Sequence, residues 1–326
     1  MKTLYFNKII SDDDMNNHNG KHFNESHYKY IIDDDCDGYS KDGLLLFKIR
    51  KKIISDNLCQ LAINSFEESS QKLHENRGAA AGILDREKLR NYVGELVDIT
   101  KFRAGYISNK TGIKSNQKIS NLSPSNIAGF FDKADRNLKN QGPRCRLTAF
   151  SKNNIEKWNN VIPYIQKVNE LFKELIPDKY NNQLNQALKT PNFIIEDTCF
   201  STVTMNYSWR TACHKDSGDF KDGFGNILVC EDNNNPYKYK GCHLGFPQYG
   251  VCINVRHGDF CATNVHEWHC NTEFKDDFDI EKLNNENKCK KMNKDEILQL
   301  KNKWYYNRLS MVFYLRENMV KCSKKI

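Results

Sequence analysis

Thr202-Val203-Thr204-Met205-Asn206, Ile227-Leu228-Val229-Cys230, Val251-Cys252-Ile253-Asn254-Val255 and Phe260-Cys261-Ala262-Thr263 are short apolar and β-branched runs, separated by Gly and Asn-rich turns. Such runs predict successive strands. Arg308-Leu309-Ser310-Met311-Val312-Phe313-Tyr314-Leu315 adds one more, beyond a charged Lys/Asn-rich stretch at about 275–303 that reads as an exposed helical insert. Upstream the period changes. From Gly43 to about Leu73, apolar residues including Leu46, Ile49, Ile53, Leu58, Ile63 and Phe66 recur at helical spacing. Asn154 to Leu175 carries a second broad apolar face, stopped by Pro177. Helices first and many short strands later predict an α+β domain built on an antiparallel β-sandwich or barrel.

The chain has 326 residues, with 49 Lys+Arg against 41 Asp+Glu and a net charge of +8. That length is enough for a sizeable core without disulfides or structural zinc. Residues 1–40 read as a polar arm, with Asp12-Asp13-Asp14 and Asp33-Asp34-Asp35 as solvated acidic surface. Residues 41–192 read as a helical half packing on the core, and 193–326 as the β core itself. Arg77-Gly78-Ala79-Ala80-Ala81-Gly82 is a small-residue loop, suited either to close approach of backbone or ligand or to a tight structural turn. Residues 103–150 are polar and lack periodicity. No run approaches the roughly 18 apolar residues of a membrane span. Met1 to Phe6 leads into Asn and Asp without an apolar signal core. None of the 12 cysteines forms a C-x-x-C pair, so they are expected to be reduced and buried, in a cytoplasmic or nuclear protein.

The chemistry begins at His214-Lys215-Asp216. On a strand, residues two apart share a face, so both side chains can reach one cation. A distant histidine would complete the facial triad of non-haem iron oxygenases, leaving open positions for cosubstrate and oxygen. The pattern recurs at His257-Gly258-Asp259, where Gly and Asp make a turn between strands and little chain remains before the next histidine. The first pair is therefore expected to be the metal site. Its third ligand is His266 or His269; three apart on a strand, they face opposite ways, and periodicity does not choose. Arg308 and Ser310, two apart on the last strand, put a guanidinium and a hydroxyl on one face, a pairing that suits a carboxylate.

Several ordered segments together resemble the TET/JBP family of 2-oxoglutarate- and iron(II)-dependent oxygenases. They are Phe200-Ser201-Thr202-Val203-Thr204, Arg210-Thr211-Ala212-Cys213-His214-Lys215-Asp216-Ser217-Gly218-Asp219-Phe220, Gly223-Phe224-Gly225-Asn226, Pro247-Gln248-Tyr249-Gly250-Val251, Arg256-His257-Gly258-Asp259-Phe260, Glu267-Trp268-His269-Cys270-Asn271-Thr272 and Arg308-Leu309-Ser310-Met311-Val312-Phe313-Tyr314. The match spans roughly residues 178–272 and 305–316 and is closest to the J-binding-protein branch. It implies a double-stranded β-helix core (jelly-roll, cupin-like) flanked by helices. It implies that His214, Asp216 and His269 hold iron(II), and that Arg308 and Ser310 bind the distal carboxylate of 2-oxoglutarate. Asp219 falls where the family places a base-contacting residue. Arg210 would share a face with His214 on a regular strand and meet the cosubstrate or a phosphate, or else form a structural ion pair. The interval from His269 to Arg308 is longer than usual for the family, and the surplus is the 275–303 stretch; Arg316 is the alternative carboxylate ligand.

The implied reaction uses Fe(II), 2-oxoglutarate and O2, with ascorbate as the sustaining reductant, to hydroxylate the methyl group of thymine or 5-methylcytosine in DNA. The base would have to be flipped out of the duplex. Lys48-Ile49-Arg50-Lys51-Lys52 and Arg136-Asn137-Leu138-Lys139 fit phosphate contact. The alternative substrates are a protein side chain or free amino acid, because a fold does not fix its substrate. A binding protein that keeps the pocket without turnover is the third reading. Nothing in the sequence points to a membrane or a protein partner.

Overall fold

The computed structural model describes residues 1–74, 77–82, 123–133, 144–278 and 306–322. In chain order the elements are β1 (Lys2–Phe6), α1 (Asp12–Asn16), β2 (Tyr30–Ile32), β3 (Cys36–Ser40), β4 (Leu45–Arg50), α2 (Asp56–Ser70), β5 (Leu73–His74), β6 (Ser123–Lys133) and β7 (Arg144–Leu147). There follow α3 (Ala149–Asn153), α4 (Ile155–Leu175), α5 (Pro177–Ala187), β8 (Thr202–Tyr207), β9 (Gly225–Glu231), β10 (Tyr239–Gly241), β11 (Leu244–Phe246) and β12 (Val251–Ile253). β13 (Phe260–Thr263), β14 (Cys270–Asn271), β15 (Phe274–Asp276) and β16 (Arg308–Tyr314) complete the set.

Among the described residues the large sheet runs β1-β3-β4-β13-β9-β16-β8-β6-β5, with β7 on β6, and the smaller one runs β14-β11-β12-β2. The strand period of two sorts the large sheet's side chains. Leu228 and Cys230 of β9, Phe260 and Ala262 of β13, and Leu309, Met311 and Phe313 of β16 face the helices α2 and α4, where they join Cys59, Phe66, Tyr164, Ile165 and Val168. Ile227, Val229 and Cys261 face the other way, onto Leu244, Phe246, Val251 and Ile253 of the smaller sheet. The two sheets thus form the jelly-roll core, and the helices cover its outer face. Arg308 and Ser310 alternate with the helix-facing residues of β16, so they point to the side of the smaller sheet. Phe313 lies between Phe200 and Tyr164, ring centroids 5.9 and 6.0 Å away. Phe313→Ala is expected to cost about 3–5 kcal/mol in urea unfolding.

The helix anticipated from Asn154 and the strands anticipated at 202–206, 227–230, 260–263 and 308–315 form close to their expected bounds, and the strand at 251–255 ends at Ile253. Pro177 ends α4 and also starts α5, because the first turn of a helix has no use for the missing N–H. Three expectations upstream are corrected. The polar arm is part of both sheets: β1 pairs in parallel with β3, and β2 with β12. The helical reading from Gly43 fails at β4, whose Leu46, Phe47 and Ile49 are all buried. A strand covered on both faces loses its alternation and is not separable from a helix by period. The aperiodic 103–150 region contains β6 and β7.

The basic run at 48–52 is also corrected. Lys48 and Arg50 contact the buried Asp37 at 3.2 and 2.9 Å, and Lys51 contacts Asp259 at 2.7 Å. These charges hold β3, β4 and the 256–259 turn together and are not free for phosphate. Lys139 and its neighbours at 136–138 lie outside the described residues, as does the 275–303 insert beyond Phe278. Cys145 and Cys322 are joined as a disulfide, contrary to the expectation of uniformly reduced thiols. The free cysteines among the described residues are all buried.

Candidate metal centre

His214 and His269 face each other across an antiparallel bridge, exchanging both backbone hydrogen bonds at 3.0 Å. Asp216, two residues after His214, lies on the same face. Its carboxylate oxygens are 3.4 Å from His214 Nε2 and 3.8 Å from His269 Nε2. One donor atom from each of the three lies within 4.8 Å of the others. The intervening Lys215 points away, its ammonium 5.3 Å from the centroid of the Trp268 ring.

The imidazoles are oriented from behind. His214 Nδ1 donates to Ala212 O at 2.7 Å, and His269 Nδ1 to Glu267 O at 3.0 Å. Each bond commits Nδ1 as a donor and turns Nε2 toward Asp216, so a metal can take the Nε2 lone pair once any proton there is released, the arrangement a metal-binding histidine needs. Burial would raise the Asp216 carboxyl, but a hydrogen bond from His214 and the positive charge of His214 and His269 in their protonated forms, with that of Arg77, outweigh it and hold the group well below the usual carboxylate range. Burial, reinforced by His214, pushes His269 down to about 4 against the opposing pull of Asp216 and the Glu267 carbonyl. Both groups are therefore in their metal-binding protonation states at neutral pH.

The sign of the pH effect follows. An unfolded histidine takes its proton near pH 6.5, and the folded His269 only near 4. The unfolded state binds more protons between these values, so the metal-free protein keeps the full contribution above 6.5 and loses it as the pH falls to 4, by about 3 kcal/mol. Melting temperatures measured across this window should fall with pH, and less steeply for His269→Gln.

The structure separates the two histidines that periodicity left open. His269 joins the centre. The His266 ring turns to the backbone, its Nδ1 3.1 Å from Asp216 O and its Nε2 3.1 Å from Phe220 O, and so braces the ligand loop. His257-Gly258-Asp259 is a turn: Gly258 has φ +76, Asp259 accepts the N–H groups of Lys52 and Arg256, and His257 Nδ1 accepts from Glu231 N.

Arg308 is buried on β16 opposite Glu231. Burial works against its charge, but Cys242, Tyr239 and Glu231 nearby sustain it. Glu231 itself is engaged by Arg256 at 2.8 Å. Among the described residues no carboxylate lies within ion-pair distance of Arg308, and its buried Nε has no acceptor. A buried guanidinium with an idle donor suits an incoming carboxylate, and Ser310 lies on the same face.

Arg210 follows the structural alternative, its guanidinium 4.0 Å from the Glu273 carboxylate, and not that of a cosubstrate contact. The segment around it is not a regular strand, and its guanidinium donates to Asn271 O at 3.1 Å, Phe23 O at 2.8 Å and Asn24 Oδ1 at 2.8 Å. It ties the N-terminal segment to the core. Arg316 is also committed, pairing with Asp132 and lying over the Phe131 ring. Asp219 is buried and bridges to Arg316 through backbone. Burial and then the Asp216 charge raise its carboxyl well above the usual range, against Arg316 and Arg77.

Arg77 was legible only as the start of a small-residue loop. The loop backbone accepts the Ala212 N–H on Ala80 O at 2.9 Å, directly against the residue that orients His214. The Arg77 guanidinium lies 5.7 Å from the Trp209 ring centroid, with a buried Nε that has no acceptor among the described residues, and its charge reaches both Asp216 and Asp219. The Ala-rich composition signalled the close approach; nothing in the sequence signalled its target.

Comparison with known proteins agrees with this geometry. Residues 126–317 match the TET/JBP family model, described as the oxygenase domain of the 2OGFeDO superfamily. A thymine dioxygenase JBP1-B of Trypanosoma cruzi is 33% identical over 165 residues, which is 50% of this chain and 18% of that protein. A thymine dioxygenase JBP1 of Trypanosoma brucei brucei is 31% identical over 193 residues, 59% of this chain and 19% of that protein. The chain therefore spans about a fifth of the length of these curated relatives. The structure of NgTET1 in complex with 5mC DNA aligns with a TM-score of 0.47 and 10% identity, covering 99% of this chain and 84% of that one. With more than half of its length matched, the chain belongs to the TET/JBP family of 2-oxoglutarate- and iron-dependent oxygenases.

Proposed function

We propose that this chain is an iron(II)- and 2-oxoglutarate-dependent dioxygenase that hydroxylates the methyl group of a pyrimidine base, thymine or 5-methylcytosine, in DNA. The observation that carries the reading is the His214, Asp216 and His269 cluster, with donor atoms within 4.8 Å of one another and both Nδ1 atoms committed elsewhere. Two neutral imidazoles and one carboxylate are the donor set that suits iron(II). The unpaired Nε of the buried Arg308 guanidinium, with the Ser310 hydroxyl, suits the distal carboxylate of 2-oxoglutarate. The thymine dioxygenases among the relatives support a pyrimidine methyl as the target.

His214, Asp216 and His269 would hold iron(II), which with 2-oxoglutarate would supply the oxidative chemistry that hydroxylates a C–H bond. The protein's own part is placement and exclusion of water. Ala212 and Glu267 carbonyls fix the imidazoles, His266 braces the ligand loop, and Arg308 orients the cosubstrate by its far end. Asp219, whose protonated form is favoured by burial and by Asp216, would contact the base edge. The three sequence regions, 1–40, 41–192 and 193–326, act as one catalytic unit. A DNA substrate goes with residence in the cell interior, and ascorbate would sustain the iron in its reduced state. Among the described residues no helix is long and apolar enough to cross a membrane.

The test supplies the protein with iron(II), 2-oxoglutarate and ascorbate, adds DNA containing thymine and 5-methylcytosine, and analyses the released nucleosides by mass spectrometry. Hydroxymethyluracil or hydroxymethylcytosine is expected, and not with Asp216→Ala. Succinate formation indifferent to DNA would overturn the substrate in favour of a protein side chain or free amino acid.

A further inference from the structure

Behind the two histidines lies a second paired feature. His214 and His269 exchange both backbone hydrogen bonds, so the adjoining residues, Cys213 and Cys270, oppose each other as the neighbouring non-hydrogen-bonded pair. In that position cross-strand side chains stand closest. Their side chains alternate with the imidazoles and so leave the opposite face, into an apolar pocket with Tyr28, Phe23, Cys252 and Trp268. Both cysteines have no exposed surface. Both lie in one apolar cluster, and Cys270 Sγ is 3.2 Å from the Tyr28 hydroxyl.

We propose that Cys213 and Cys270 are a redox-active dithiol, which a small peroxide converts to a cross-strand disulfide that weakens metal binding on the other face. One cysteine, as its thiolate, attacks a peroxide oxygen; the O–O bond breaks, and the leaving hydroxide takes up the proton the thiol released, giving a sulfenic acid and water. The second thiol then displaces the hydroxyl as another water and the S–S bond forms. Two electrons pass from the sulfurs to peroxide oxygen, and both thiol protons end in water.

Geometry links the bond to the metal face. A disulfide needs its Cβ atoms about 3.8 Å apart, and opposed strand residues hold them at about 4.5–5.5 Å. Closing the gap draws in the backbone one residue from each imidazole and leaves the Tyr28 hydroxyl without its thiol partner. This consequence rests on the metal-centre reading above, but formation of the bond does not.

The experiment treats the metal-free chain with hydrogen peroxide, removes the oxidant, maps cysteine linkages by peptide mass spectrometry and titrates Co(II) by calorimetry. A Cys213–Cys270 linkage is expected, with Co(II) binding weakened roughly ten-fold and restored by dithiothreitol. Cys213→Ala and, independently, Cys270→Ala should show neither the linkage nor a peroxide-induced loss of affinity. Cysteines 213 and 270 that remain free after peroxide, or linkage without loss of Co(II) affinity, would overturn the proposal. Reduced protein that binds no Co(II) would instead overturn the metal-centre reading, and the linkage map would then judge the dithiol alone.

Discussion

Asp216→Ala is expected to lower metal affinity by at least about 100-fold, beyond the range of outer-sphere changes, and to abolish hydroxylation. Asp216 is the anionic member of the cluster, and without it two neutral imidazoles remain to hold a dication. His269→Ala should behave similarly, since its Nε2 faces Asp216 at 3.8 Å. His266→Ala supplies the contrast. That ring contacts the carbonyls of Asp216 and Phe220, so its loss should loosen the loop and reduce affinity by no more than about ten-fold to 100-fold. Calorimetric titration with Co(II) orders the three variants without reference to turnover. Equal losses for His266→Ala and His269→Ala would contradict the assignment.

Arg308→Met is expected to raise the KM for 2-oxoglutarate by about 30–100-fold, the equivalent of about 2–3 kcal/mol from charge-assisted hydrogen bonds. Arg308→Lys should recover only part of this, because an ammonium keeps the charge but not the planar fork. The same substitution should leave the ligand-free protein at least as stable in urea. A buried charge without a carboxylate partner costs desolvation that a thioether of similar length does not. A structural role for Arg308 would reverse that outcome, with a large loss of stability and an unchanged KM. The two measurements together separate a cosubstrate ligand from a core ion pair.

Both variants test residues that were readable from the chain alone, and the reason is local. His214, Lys215 and Asp216 alternate along an extended segment, and so do Arg308, Leu309 and Ser310; the two-residue period places each functional pair on one face wherever the segment goes. The four strands quoted from the C-terminal half are buried on both faces and were readable instead as short apolar and β-branched runs bounded by Gly and Asn-rich turns. β4, covered in the same way, lies close before α2 with no such boundary between them, so its apolar residues read as the start of one helical pattern. β1 and β2 were hidden because they are short edge strands of five and three residues set among the polar residues of 1–40.

Pairings between distant segments were settled only in three dimensions. Whether His266 or His269 meets Asp216 depends on which residue bridges to His214, a relation across the sheet that no local period contains. Arg210 and Arg308 are equally basic on paper. Folding brings the carbonyls of Phe23 and Asn271 to the first and leaves the second with an idle buried Nε. The run at residues 48–52 looked available to phosphate until Asp37 and Asp259 were brought against it. Residue types and spacing carry the chemistry a side chain can perform. Which of several like side chains performs it is decided by the partners that tertiary packing supplies, because a charge already neutralised by the protein has little left for a ligand.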